Sequence, residues 1–202
     1  MPRKRPAKKT KLVENKKLRA KKVLALRPEL LLGPNVPKPM HGVAPRVVLG
    51  AKWWNAERKA AYNRAGYRCQ ACGVMKWEAK SRKWLEAHEQ YKIDYDKGLM
   101  HYVKAVALCH YCHNYIHDGR LNSLLLKGKV THAKFAAIMQ HGDAVLAAAG
   151  LHRKSYKERE ADYVKLLLAG EVVPWHKWRL VIGRKKFPPK FKSAAQWHEA
   201  MR

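Results

Sequence analysis

The run LCHYCHNYIH, residues 108–117, packs two cysteines and three histidines into little more than two helical turns. Its cysteines, Cys109 and Cys112, repeat the C-x2-C spacing of Cys69 and Cys72, and the chain contains four cysteines in all. Paired C-x2-C knuckles with no thiol left over suit a tetrahedral structural Zn2+ rather than disulfides. On a helix, His113 and His117 stand at i and i+4 on one face, the spacing that lets two imidazoles share one metal ion. The short run therefore carries ligands for two different metal sites, a structural zinc and a second cation.

These residues need a scaffold. The chain has 202 residues and 47% hydrophobic content, enough for one compact core with a small appended unit. Helical spacing of Trp54, Arg58, Ala61 and Tyr62 predicts a helix over 52–64, stopped by Ala65 and Gly66 just before the first knuckle, with Trp53 and Trp54 as core anchors. The segment SRKWLEAHEQYKIDY alternates as a strand, with Trp84, Glu86, His88 and Gln90 on one face and Leu85, Ala87, Glu89 and Tyr91 on the other. DYDKG then supplies a turn, and MHYVKAVAL returns as the second arm of a hairpin. A helix follows from about His113 and stops near Asp118 and Gly119.

Further on, Thr131 is placed to cap a helix whose apolar stripe is Phe135, Ile138, Met139, Leu146 and Ala149, interrupted by Gly142. Another helix is expected over 155–169, with Tyr156, Tyr163, Val164 and Leu167 facing the core, then two short strands turning at Gly183 and a helix capped by Ser193. At the other end, residues 1–45 read as a basic, largely extended or disordered arm with one short helical stretch at 12–26. The expected division is thus an arm over 1–45, a zinc-bound core over 46–125 and a helical and β-hairpin lobe over 126–202, an α+β organisation.

The charge balance names a class of partner. Lys and Arg number 43 against 15 Asp and Glu, giving +28 and a pI near 10.2. Such an excess implies a polyanion, and nucleic acid is favoured because each neutralised phosphate releases condensed counterions. Arg3, Lys4, Arg5, Lys8, Lys9, Lys104 and Arg120 are the expected nucleic-acid contacts. No run approaches about 18 apolar residues and the cationic start lacks an apolar h-region, so an intracellular site, cytoplasm or nucleoid, is expected, without membrane contact.

The order C-x2-C, a strand carrying LEAHE, a second strand and then LC-x2-CHNYIH resembles the HNH, or ββα-metal, endonuclease superfamily, and WWNAERKAAYNRAGYRCQACG is similar to the helix before the first knuckle in many HNH proteins. The resemblance covers about residues 50–120. It implies a zinc-stapled ββα-metal core, hydrolysis of nucleic-acid phosphodiesters, with double-stranded DNA preferred, and a catalytic Mg2+ or other divalent cation. Two registers are open. In one, His88 is the base and Ala87 falls at a ligand position; in the other, favoured here, His88 joins His113 and His117 as ligands and Glu89 takes the base role. The family's mid-hairpin asparagine falls on Lys104, which suits phosphate contact rather than imidazole orientation. Glu86, on the face of His88, is placed to orient that ring, to touch the metal or to pair with a lysine. His110 is expected to face solvent, and His101, His132, His141, His152, His176 and His198 to be surface or core histidines.

Against the enzyme stands a nucleic-acid-binding or assembly module on the same scaffold, in keeping with Ala87 and Lys104. The C-terminal lobe is expected to serve nucleic acid or a protein partner.

Overall fold

The computed structural model describes residues 25–154, 164 and 168–201. The expected helix at 12–26, apart from residues 25 and 26, which are not helical, and the arm residues Arg3, Lys4, Arg5, Lys8 and Lys9 lie outside these, as does nearly all of the expected 155–169 helix; Val164, proposed for its core face, is exposed. The architecture is mixed α+β around a four-stranded sheet ordered β1-β2-β3-β4. β1 (Glu86–Asp94) and β2 (Leu99–Leu108) form the expected hairpin, with a bulge between Gln90 and Tyr91. The turn closes through Gly98, whose φ of 62° favours glycine. The strand is shorter than its alternation suggested: residues 81–85 lie outside it, Ser81 adopts a left-handed φ of 67°, and the exposed Trp84 is covered by Arg82.

Two short helices, α1 (Pro45–Val48) and α2 (Gly50–Arg64), precede the first knuckle. Polar clips fix α2 on β2: Arg64 donates to the Ala105 carbonyl at 3.1 Å, and the Ala105 amide donates to Glu57 at 3.3 Å. Trp53 and Trp54 are half-buried rather than core anchors; Trp53 packs edge-on against Tyr102. The first knuckle docks on the end of β2 through Gln70. Its amide donates to the Ala107 carbonyl and its side chain accepts from the Ala107 amide, each at 2.9 Å.

After β2 come α3 (His110–Ile116), α4 (Asp118–Leu126) and α5 (His132–Ala147). The helix expected to stop at Asp118 and Gly119 ends slightly earlier. The backbone breaks at His117 (φ −92°, ψ 44°), and Asp118 and Gly119 open α4, whose first turn gains from the aspartate near the helix N-terminus. α5 begins as expected at Thr131, whose side chain accepts from the Lys134 amide. Ile138 and Leu146 are buried and Phe135 and Met139 pack against the same core, whereas Ala149 lies past the helix end and is exposed. Gly142, an interruption of that stripe in the sequence, is where α5 meets α3: a Cβ there would fall 2.0 Å from the fully buried Tyr115 ring.

Residues 25–45 are not a loose arm. Two 3-10 turns, Pro28–Leu32 and Lys38–Met40, bury Leu30 and Leu31 in the core of α3 and α5, and Met40 and Val43 in a second core around Met100, Trp178 and Leu180. Proline-fixed turns carry no apolar period, so composition alone hid their burial. Nor is the sheet confined to residues 46–125. β3 (Arg179–Ile182) pairs parallel with β2, Leu99 opposite Arg179 through His101 opposite Val181, and β4 (Lys185–Phe187) returns beside it after Gly183. The buried indole of Trp178 donates to the Ala169 and Val173 carbonyls, so the C-terminal lobe shares a core with the hairpin. A final helix, α6 (Ala194–Met201), starts at Ser193 as expected, with Ser193 Oγ accepting from the Gln196 amide.

Filling the α3–α5 contact is the sharpest test of this packing. Gly142→Ala forces a methyl into the Tyr115 ring and should cost about 1–3 kcal/mol, read as a lowered denaturant midpoint with unchanged slope.

Candidate metal centres and basic cleft

α3 carries members of two ligand sets. Toward the first knuckle, Cys69, Cys72, Cys109 and Cys112 offer sulfur atoms that all lie within 4.8 Å of one another. None is in a disulfide. Cys72 and Cys109 Sγ are 3.8 Å apart, and a tetrahedral ion with metal–sulfur bonds of about 2.3 Å requires sulfur–sulfur edges of about 3.8 Å. The cluster can therefore hold a structural metal ion such as zinc. Cys109 also caps α3, its Sγ accepting from the Cys112 amide at 3.5 Å. The Cys69 thiol is held far below its usual range by hydrogen bonding with Cys109, Cys112 and Cys72. His141, expected to be an ordinary surface or core histidine, brings Nε2 to 3.4 Å from Cys112 Sγ. It comes from α5, so no local spacing announced it.

On the other side, His88, His113 and His117 each offer a ring nitrogen, again within 4.8 Å of one another. His88 Nδ1 and His117 Nε2 are 3.2 Å apart. Bonds of about 2.1 Å to a tetrahedral or octahedral ion give edges of about 3.0–3.4 Å, so three imidazoles here can also share one cation. His113 and His117 owe their place to α3, with His117 at its C-cap, and His88 reaches them from β1. Burial and the nearby imidazoles of His117 and His113 depress His88 to about 3; burial, His113 and the Arg120 and Arg46 charges depress His117 to about 4. Both rings are consequently neutral, the metal-binding form, at ordinary pH.

Behind this centre Glu86 bridges two rings, accepting from His113 Nδ1 at 2.5 Å and from His110 Nδ1 at 2.7 Å. Burial alone would raise the Glu86 carboxyl, but these hydrogen bonds more than reverse it and hold the group well below the usual carboxylate range. The bond fixes the His113 tautomer and turns Nε2 toward the other two histidines. Of the roles open to Glu86, orienting a ring is the one observed, though the ring is that of His113; Glu86 is not in the ligand cluster, and its cationic neighbour is Arg82 at 3.4 Å rather than a lysine. His110 is correspondingly not solvent-facing: its ring sits between Glu86 and the buried Asn114.

Two expected participants stand apart from the histidines. Glu89 lines the same cleft as the histidines but is not part of the cluster, because its buried carboxylate is held in an ion pair with Arg46 at 2.5 Å. Lys104 pairs across from Gln90, is exposed, and lines neither the cluster nor the cleft above it. That cleft, about 1120 Å³, has His88, His113 and His117 in its wall together with Arg27, Arg46, Arg82 and Arg120, so the expected contact Arg120 is at the site. Among the described residues no helix is long and apolar enough to cross a membrane.

Comparison with protein-family models, with curated proteins and with solved structures gives no match at a significant level.

The two donor sets can be tested separately. Removal of the ion by a strong chelator, or Cys112→Ser, should lower the melting temperature by about 10 °C or more, since a structural zinc contributes binding free energy of order 10 kcal/mol to folding; calorimetry with one-to-one zinc release by a thiol reagent checks it. At the histidine centre, the unfolded chain takes up protons near pH 6.5 whereas folded His88 resists them to about 3. Stability from His88 is present above pH 6.5 and lost as pH falls. With the histidine centre free of metal, the stability of the native chain relative to His88→Gln should fall by about 1–2 kcal/mol between pH 7 and 5.

Proposed function

We propose that the protein is a metal-dependent nucleic-acid phosphodiester hydrolase of the HNH kind, an endonuclease acting on DNA. One observation carries the reading: three imidazoles converge within 4.8 Å in the wall of a cleft that also presents four arginines. A structural zinc needs none of these histidines, since the cysteines already complete its tetrahedron. The residues His88, His113 and His117 would hold Mg2+ or another divalent cation, which supplies charge neutralisation and Lewis-acid polarisation at a phosphodiester. Glu86 keeps His113 in the ligating tautomer. Arg46, Arg82 and Arg120 draw the substrate's phosphates into the cleft.

The base role falls to Glu89 in this arrangement, because His88 is committed to the cluster. Glu89 lines the same cleft but is held by Arg46. An incoming phosphate that recruits the Arg46 guanidinium leaves the Glu89 carboxylate free to accept a proton from the attacking water. That same ion pair favours the second reading, a nucleic-acid-binding module without chemistry, in which Glu89 and Arg46 stay locked together.

Nicking of supercoiled plasmid with Mg2+ or Mn2+ separates the two. Divalent-dependent relaxation should fall at least about a hundredfold in His113→Ala, the scale expected for loss of a metal ligand, while gel-shift affinity at matched salt is retained. Tight, salt-sensitive binding with no cleavage under either metal leaves the binding module.

A further inference from the structure

Beside the cleft lies a second pocket of about 430 Å³, bordered by α4, α5 and the His110 and Asn114 side of α3. Arg82, Arg120, Lys129 and Lys134 line it, and no aspartate or glutamate does so among the described residues. Glu86, in the adjoining cleft, is shared between Arg82, His110 and His113. Thr131 opens the pocket's far wall as the N-cap of the 16-residue helix α5, so the positive end of that helix adds to the four side-chain charges. Lys134 is held in place by Tyr111, with Nζ 3.1 Å from the phenol oxygen and 4.4 Å from the ring centroid. Arg120 and Lys129 are exposed.

The two cavities are continuous. Arg82, His110, Asn114 and Arg120 line both. A chain of regularly spaced monoanions that placed one phosphate at the histidines would run along this seam, and a lone small anion would have no need of it. We infer that the pocket between α4 and α5 binds a neighbouring phosphate of the nucleic-acid backbone and so sets the direction of the strand through the cleft. This strand-orienting site rests on the nucleic-acid part of the proposed function and extends it. It also brings α5 into substrate binding, because the helix that stacks Gly142 on Tyr115 delivers its N-terminus to the strand.

Lys129 and Lys134 line this pocket but not the main cleft, so they isolate it. In the full chain carrying His113→Ala, which keeps the substrate intact, binding of a short DNA duplex is followed by fluorescence anisotropy across about 50–300 mM salt. Lys129→Ala with Lys134→Ala should weaken binding at least about tenfold and reduce the log–log salt slope by about 1, the loss of one phosphate contact. Lys52→Ala with Lys59→Ala removes the same charge from the exposed surface of α2 and serves as the control. Lys129→Glu, at an exposed position, repeats the test without touching Tyr111. Equal effects of the pocket and control pairs would overturn the inference, leaving only net charge. A preserved pocket effect beside an absence of plasmid cleavage would sink the nuclease and keep the site; cleavage with no pocket effect would do the reverse.

Discussion

Four sulfur atoms drawn from two distant knuckles fix nearly everything else in the molecule. Cys69 and Cys72 follow α2, whereas Cys109 and Cys112 begin α3, so an ion shared by the four would tie the helix before the hairpin to the helix after it. α3 has only seven residues and would not persist alone in water. Clamped at Cys109 and Cys112, and packed through Tyr115 and Ile116 into the larger core, it becomes a rigid mount. Just beyond the clamp the same mount carries His113, and at its end His117. The histidine centre inherits its precision from the sulfur centre, and Gln70 pairing with Ala107 keeps both in register with β2.

The second layer of order is electrostatic. A chain of charge +28 must keep its few carboxylates where they act. Glu86 is spent on two imidazoles and one guanidinium, Glu89 on Arg46, and Glu57 on the β2 backbone and Arg64. Each of these acids sits at the junction of two elements. Among the described residues, several cations gather around one cleft.

What could be read in the sequence was what local spacing encodes. The C-x2-C pairs, the i and i+4 histidines, the hairpin turn and the Thr131 and Ser193 caps all lie within a few residues of their partners, where helix and strand periods govern. His88 came from likeness to a known arrangement rather than from spacing. Glu86 beneath His113 and His110, and His141 beside Cys112, depend on how β1 and α5 approach α3, which no window of sequence contains. Burial of Leu30, Leu31, Met40 and Val43 escaped notice because proline-set turns lack a period, and the assignment of Lys104 to the site failed because a position counted along the chain does not say how the hairpin sits against the cleft.

The parallel pairing of β2 with β3 bears on how the chain is made. β2 needs β3 along Leu99 to His101, but β3 leaves the ribosome long after the hairpin has done so. Until residues 179–182 arrive, that length of β2 is an open sheet edge with Met100 and its neighbours lacking the cover of Trp178 and Leu180. A nascent or shortened chain is thereby adhesive at one defined spot, prone to borrow the missing strand from a second copy. A strand made late thus closes an edge that the hairpin alone leaves open.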